Sequence, residues 1–233
     1  MMLQLVSRCS RRVRVFSTLA LTACLPLLAA PAFAQNLVQN PDFNTALPPW
    51  TQFLSSAPDP SGAGTAAWVA SPDFTNNPAS GSAAITIAAS PAAQNAASGI
   101  DECFAFAGGT MVSSVNYGAS FLVPAANAAD GGANATIEIR LFSDNACTTF
   151  ISGAGGSQGQ DIVAGIPNSA AWRTLSDGNF LPPNAPLAAG SAQVRAYLRK
   201  TGASANTYSM NVDHVFVFLN GTTPVQLQQF YVE

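Results

Sequence analysis

Two segments in the second half of the chain, ATIEIRLF (135–142) and SAQVRAYLRK (191–200), alternate apolar and polar residues with a period of two. That period belongs to a strand, whose successive side chains point to opposite faces, so each segment must lie with one face against a core. Ile137, Ile139 and Leu141 point one way, and Glu138, Arg140 and Phe142 the other. Val194, Ala196 and Leu198 point inward, and Arg195, Tyr197 and Arg199 outward. Clean alternation of this kind marks antiparallel strands that are buried on one side only.

The rest of the chain repeats the device without adding helices. VNYGASFLV (115–123) sets Val115, Tyr117, Ala119, Phe121 and Val123 on one side and leaves little more than Gly118 and Ser120 on the other. YSMNVDHVFVFL (208–219) is more continuously apolar, which fits either a strand covered on both faces or one that changes phase at a bulge near Asp213. Further strand candidates are NLVQ, WTQF, AAWVA (66–70), SAAITIA (82–88) and IDECFAF (100–106), separated by loops at 71–81, 124–134, 152–170 and 177–190. The nearest helical candidate, SPAAQNAASG at 90–99, is short and bounded by Pro91 and Gly99. Ten or so strands at this spacing predict an all-β fold, a two-sheet antiparallel β-sandwich, over residues 35–233.

Residues 1–34 read as an export signal. Arg8, Arg11, Arg12 and Arg14 precede an apolar stretch from Val15 to Leu28 and an A-x-A site at Ala32-Phe33-Ala34, so cleavage is expected before Gln35. Leu21-Thr22-Ala23-Cys24 also fits a bacterial lipobox, which would instead place a lipid anchor at Cys24. Without the leader the nine basic residues fall to five against twelve acidic ones, a formal charge of −7. That sign argues against nucleic acid and anionic lipid, both of which reward clustered Lys and Arg. No run of 18 apolar residues follows, so no transmembrane segment is expected. A secreted or periplasmic product would keep two cysteines, Cys103 and Cys147, which an oxidising compartment would join as a disulfide.

The opening NLVQNPDFNTALPPW (36–50) resembles the N-terminal signature of the galactose-binding-like jelly rolls, above all the carbohydrate-binding modules attached to cellulases and xylanases. In those modules a first strand leads to an Asn-Gly-x-Phe-Glu turn, a loop and a Trp; here the residues are Asn40-Pro41-Asp42-Phe43-Asn44 and Trp50. The C-terminal AQVRAYLRKTGASANTYSMNVDHVFVFL is similar to the family's last two strands, with Asp213 before an apolar pair, and AGGTMVSSVNYGASFLV to its Gly turn and Tyr-containing strand. The resemblance implies that Phe43 and Trp50 pack in the core. It also implies a structural calcium between the opening turn and the last strand, at Asn44 and Asp213 with Asp42 nearby, although Asn44 stands where Glu is usual. The other reading of that pair has Asn44 and Asp213 satisfying backbone groups of the turn.

The family binds sugars on aromatic faces and planar polar groups, and the outward set Glu138, Arg140, Arg195, Tyr197 and Arg199 has that chemistry. If their two strands are neighbours, these residues make one patch, which could equally be a solvated face holding ion pairs such as Glu138 with Arg195. Trp68 and Trp172, the latter beside Arg173, are further stacking candidates, each with a place in the core as its alternative. Catalysis has little support. Asp101 and Glu102 are adjacent and so face opposite ways, His214 has no Ser or Cys partner motif, and G-x-S-x-G is absent. The expectation is a non-catalytic glycan-binding protein; the alternative is a structural or adhesive envelope protein that uses the same fold for protein contact.

Overall fold

The structure, a computed structural model, describes residues 35–56, 64–88, 96–123, 133–151, 159–165, 171–182, 185–200 and 206–220. All belong to one unit, Phe33–Glu233, and the expected leader and the lipobox at Cys24 lie outside the described residues. The strands are β1 (Thr51–Ser56), β2 (Gly64–Val69), β3 (Ser82–Ile87), β4 (Ala96–Val112), β5 (Val115–Leu122), β6 (Ala133–Phe142), β7 (Gly159–Gly165), β8 (Trp172–Phe180), β9 (Leu187–Lys200) and β10 (Tyr208–Leu219). They form two antiparallel five-stranded sheets, β1-β4-β9-β6-β7 and β2-β3-β10-β5-β8. The protein is an all-β sandwich. Strands β3 to β10 take the order of an eight-stranded jelly roll, four to each sheet, and β1 and β2 each extend one edge.

The core is the set of inward positions that the alternation singles out. Ile137, Ile139, Leu141, Val194, Ala196 and Leu198 of the first sheet are buried against Val115, Tyr117, Ala119, Phe121 and Val123 of the second. Phe43 and Trp50 join the same cluster, with ring centroids 5.6 Å apart.

On β10 the structure selects the change of phase. Val212 is buried, His214 takes a left-handed φ of 50°, and burial resumes at Val215 and Val217. Pairing with β5 slips between Asp213 and Phe216, the extra residue of a bulge. A bulge releases backbone groups from the ladder, and the opening stretch collects them. Val215 N–H donates to Pro41 O, Asn36 Nδ2 donates to Val215 O, and Val217 N–H donates to Asn36 Oδ1. NLVQ is therefore a strap across the bulge and not the strand expected of it.

Two loop expectations and the helical one are also corrected. GQDIVAG, inside the expected 152–170 loop, is β7, because β6 offers it a free edge to pair with from Asn134 to Arg140. β8 runs on to Phe180 and β9 starts at Leu187, so both ends of the expected 177–190 loop are strand. Residues 96–99 of the helical candidate open β4, and its first part lies outside the described residues.

Candidate functional site

β9 lies between β4 and β6, so each outward side chain of β9 has a neighbour on both sides. Register places Arg195 opposite Asp101 on β4 and Glu138 on β6, and the same rung runs outward to Thr51 on β1. The next rung holds Phe53, Gly99, Tyr197 and Thr136; on the other side Cys103, Gln193 and Arg140 stand in line, and then Ala105, Ser191 and Phe142. The five outward residues expected to share a face do share one, with Arg199 beside Ala97 and Asn134 at its end.

The face is not solvated as expected. Tyr197 is 6% exposed, Glu138 is as deeply buried, and the Arg195 side chain is 15% exposed. The cause is the aromatic cover on this face. Phe53 meets Tyr197 edge to face at 5.5 Å, and the Arg195 guanidinium lies 4.4 Å from the centre of the Phe53 ring. Beneath that cover Arg195 Nε stands 3.8 Å from Asp101 Oδ2, and Nη1 stands 3.8 Å from Glu138 Oε2. Arg140 Nε pairs with Glu138 Oε1. Asp101 also accepts hydrogen bonds from Thr51 Oγ1 at 2.5 Å and Gln193 Nε2 at 2.8 Å. Burial and the nearby Arg140 pull the Arg195 guanidinium below its ordinary range, and Glu138 and Asp101 work against them.

A second aromatic pair closes the other end. Phe142 and Phe150 have ring centroids 5.6 Å apart, and Arg140 sits 5.5 Å from the Phe150 ring. Phe150 belongs to the turn 143–151, which is built to stay in place. The Asp144 carboxylate accepts from the backbone N–H groups of Ala146, Thr148 and Thr149. Ser191 Oγ donates to Asp144 O at 2.6 Å, and Cys147 is joined to Cys103 of β4. Gly190 permits the approach, since a Cβ there would stand 2.7 Å from Asp144 C.

The positions for calcium are not assembled into a site. Asp213 is buried at the bulge, where Oδ1 accepts from His214 N and Oδ2 from Phe74 N. Asn44 is exposed in the opening turn, where Asn40 Oδ1 takes its N–H. Calcium needs several converging oxygen ligands with carboxylates among them, and the described residues hold no cluster of three or more His, Cys, Asp or Glu able to bind a metal. These residues do not fit the ion; Asp213 instead serves backbone groups. His214 contacts Asp42 at 2.9 Å and stacks on Phe74. Trp68 packs against the core with Nε1 donating to Phe43 O, and Trp172 stands on β8 of the other sheet against Phe74. Neither joins the Arg195 face.

Sequence reasoning missed Phe53, Gln193 and Phe150. In WTQF a core Trp50 puts Phe53 on the opposite, outer face, and the alternation of β9 does the same for Gln193. Phe150 has none, because its place comes from the turn and the Cys103–Cys147 disulfide.

No protein-family model matches the sequence, and no curated protein does. Solved structures similar to the chain include the enzymatically active domain of bacteriophage CBA120 tailspike protein 4 (13% identity, TM-score 0.49), in which 79% of this chain spans 21% of that one. Others are TmCBM61 in complex with β-1,4-galactotriose (10% identity, TM-score 0.46, 80% of this chain and 99% of that one) and the CBM22-1 xylan-binding domain of Paenibacillus barcinonensis Xyn10C (12%, 0.42, 80% and 95%).

Proposed function

We propose that this is a secreted or periplasmic, non-catalytic glycan-binding protein and that the outer face of the first sheet is its binding groove. One observation carries the reading: two aromatic pairs, Phe53 with Tyr197 and Phe142 with Phe150, bracket a row of planar charged groups on a single face. Along β9 the pairs are three rungs apart, roughly 20 Å at the rise of a strand. A sugar chain presents apolar ring faces and hydroxyl edges. Ring faces suit aromatic platforms, and paired hydroxyls suit the forked geometry of guanidinium and carboxylate groups. Arg195 stands between Asp101 and Glu138 and shares its charge with both, whereas glycoside hydrolysis needs two carboxyl groups that face each other across the bond. That arrangement favours holding a glycan over cleaving it. The Cys103–Cys147 disulfide suits the oxidising compartment in which such polymers occur.

The test is retention of the purified protein on a panel of soluble and insoluble polysaccharides. Saturable retention on one class is expected, reduced at least tenfold by Phe150→Ala, a surface truncation, and by Tyr197→Ala. No retention on any polysaccharide, or retention indifferent to both changes, overturns the groove.

A further inference from the structure

At one side of this groove, between its two aromatic pairs, the floor opens. β1 begins at Thr51, opposite Asp101, and gives β4 no partner beyond that point, so the edge of β4 at Glu102 and Cys103 is left to other segments. A cavity of about 350 Å³ fills the corner, lined by Gln39, Thr51, Asp101, Glu102, Gln193 and the Cys103–Cys147 disulfide among others. Asp101 and Glu102 do face opposite sides of β4, as alternation requires. Both still reach the cavity, because it wraps the strand's uncovered edge.

Glu102 is the unusual member. It is 3% exposed on the core side of β4, between Ile100 and Phe104, and among the described residues its one hydrogen-bond donor is Gln39 N–H, shared between the two oxygens at 3.1 and 3.2 Å. Among the described residues no ion pair reaches it: Arg195 serves Asp101 and Glu138, one rung away. Gln193 spends Nε2 on Asp101 and leaves Oε1 buried without a partner. What remains unmet at this corner is acceptor capacity: a buried carboxyl with one donor and an amide oxygen with none. Buried polar groups in native proteins are as a rule satisfied, and a carboxyl left this way in a cavity marks a site.

We infer that the cavity takes the protonated amine of a glycan, so that the groove receives a polymer carrying free amino groups. This rests on the groove reading and adds the ligand's chemical class. An ammonium brings three donors and no acceptor, matching what the corner lacks, and supplies the cation that Glu102 does not have. A hydroxyl would meet the acceptors but leave the carboxylate uncompensated. An N-acetylated amine would lose the charge and two of its donors. The titratable groups lining the cavity are Asp101 and Glu102; burial pushes Glu102 up to about 7, while the amide of Gln39 works against it.

Two probes of equal length and linkage decide the matter: the β-1,4 tetramer of glucosamine and its fully N-acetylated counterpart, titrated by calorimetry at pH 7. The amine form is expected to bind at least tenfold tighter, and Glu102→Gln, which keeps the acceptor for Gln39 N–H and removes the charge, should bring the two to parity. In the unaltered protein the preference should be bell-shaped in pH, falling below about 7 as Glu102 takes a proton and above about 8 as the amine loses one. Equal binding, or a preference that survives Glu102→Gln with a flat pH profile, overturns the inference and leaves the groove standing. If neither tetramer binds, glucosamine alone at millimolar concentration, followed through the side-chain amide resonances of Gln193, separates the two claims. A shift abolished by Glu102→Gln upholds the cavity without the groove, and no shift overturns both.

Discussion

Phe53 and Tyr197 touch at 5.5 Å although β4 runs between their strands. They can do so because the β4 residue in the same rung is Gly99, and a side chain there would fill the space the rings cross. A Cβ at position 99 would stand 2.2 Å from Ala196 O and 2.4 Å from Tyr197 Cβ.

Gly99→Ala should therefore destabilise the fold by at least about 1–3 kcal/mol, the usual penalty for an added methyl group in a packed site. Urea unfolding measures it. Loss of the Phe53 cover should also make Arg195 more accessible, and an unchanged midpoint would contradict the contact.

The Cys103–Cys147 disulfide closes a sequence separation of 44 residues. On the chain-entropy model a loop of that length stabilises by about 4 kcal/mol, so reduction should lower the melting temperature by roughly 10 °C. Cys147 also anchors the turn that carries Phe150, so glycan retention should weaken at temperatures well below melting. Retention that persists until the protein unfolds would separate the turn from the groove.

Stability should fall as pH rises from mildly acidic to neutral. Burial pushes Glu102 up to about 7 and Asp213 up to about 6, and the hydrogen bond that His214 donates to Asp42 holds His214 above its ordinary value. A group whose folded pKa is raised keeps its proton in the native state after the unfolded chain has released it. The stability it contributes is complete below the unfolded pKa and is lost as pH rises through the folded one. Two aspartates act oppositely. Burial alone would raise Asp73, but hydrogen bonds from Ser80, Asn77 and Thr75 outweigh it; at Asp144 the backbone amides of Thr148, Ala146 and Thr149 likewise outweigh desolvation. Their contributions vanish as pH falls below the ordinary carboxylate range. A melting temperature that peaks at about pH 4–5 is expected, and a monotonic rise to pH 8 would refute the assignments.

Glu102→Gln isolates one of these groups. With the uncompensated carboxylate gone, stability at pH 8 should rise, by about 2–3 kcal/mol for a shift of this size, and be nearly unchanged at pH 4. A variant more stable than the parent but blind to amines would show that Glu102 is kept for binding.

What could be read from the sequence was whatever alternation alone controls. β5, β6 and β9 carry an unbroken period of two, and their core faces follow from it residue by residue. The juxtaposition of Arg195 with Glu138 was conditional on β6 and β9 being neighbours, which no local pattern determines. GQDIVAG was illegible for the opposite reason: an edge strand is made by the free edge it pairs with, and its own residues carry no distinctive pattern. The cavity at Glu102 depends on where β1 begins, a boundary one residue either way would move. NLVQ shows the converse error, a short apolar run that reads as a strand but whose hydrogen bonds go to a bulge.

That bulge on β10 also acts as a reading-frame correction. The strand's first half faces the core through Met210 and Val212, and its second half through Val215 and Val217, which have opposite parity. Deleting one residue within 213–214 would put Val215 and Val217 in the parity of Met210 and Val212, so that a regular strand would keep all four facing the core. What such a deletion would remove is the bulge itself, and with it the placement of the Val215 and Val217 backbone groups that Pro41 and Asn36 hold. Deletion scanning of β10 should thus find the core faces spared at 213–214 and disrupted at other interior positions.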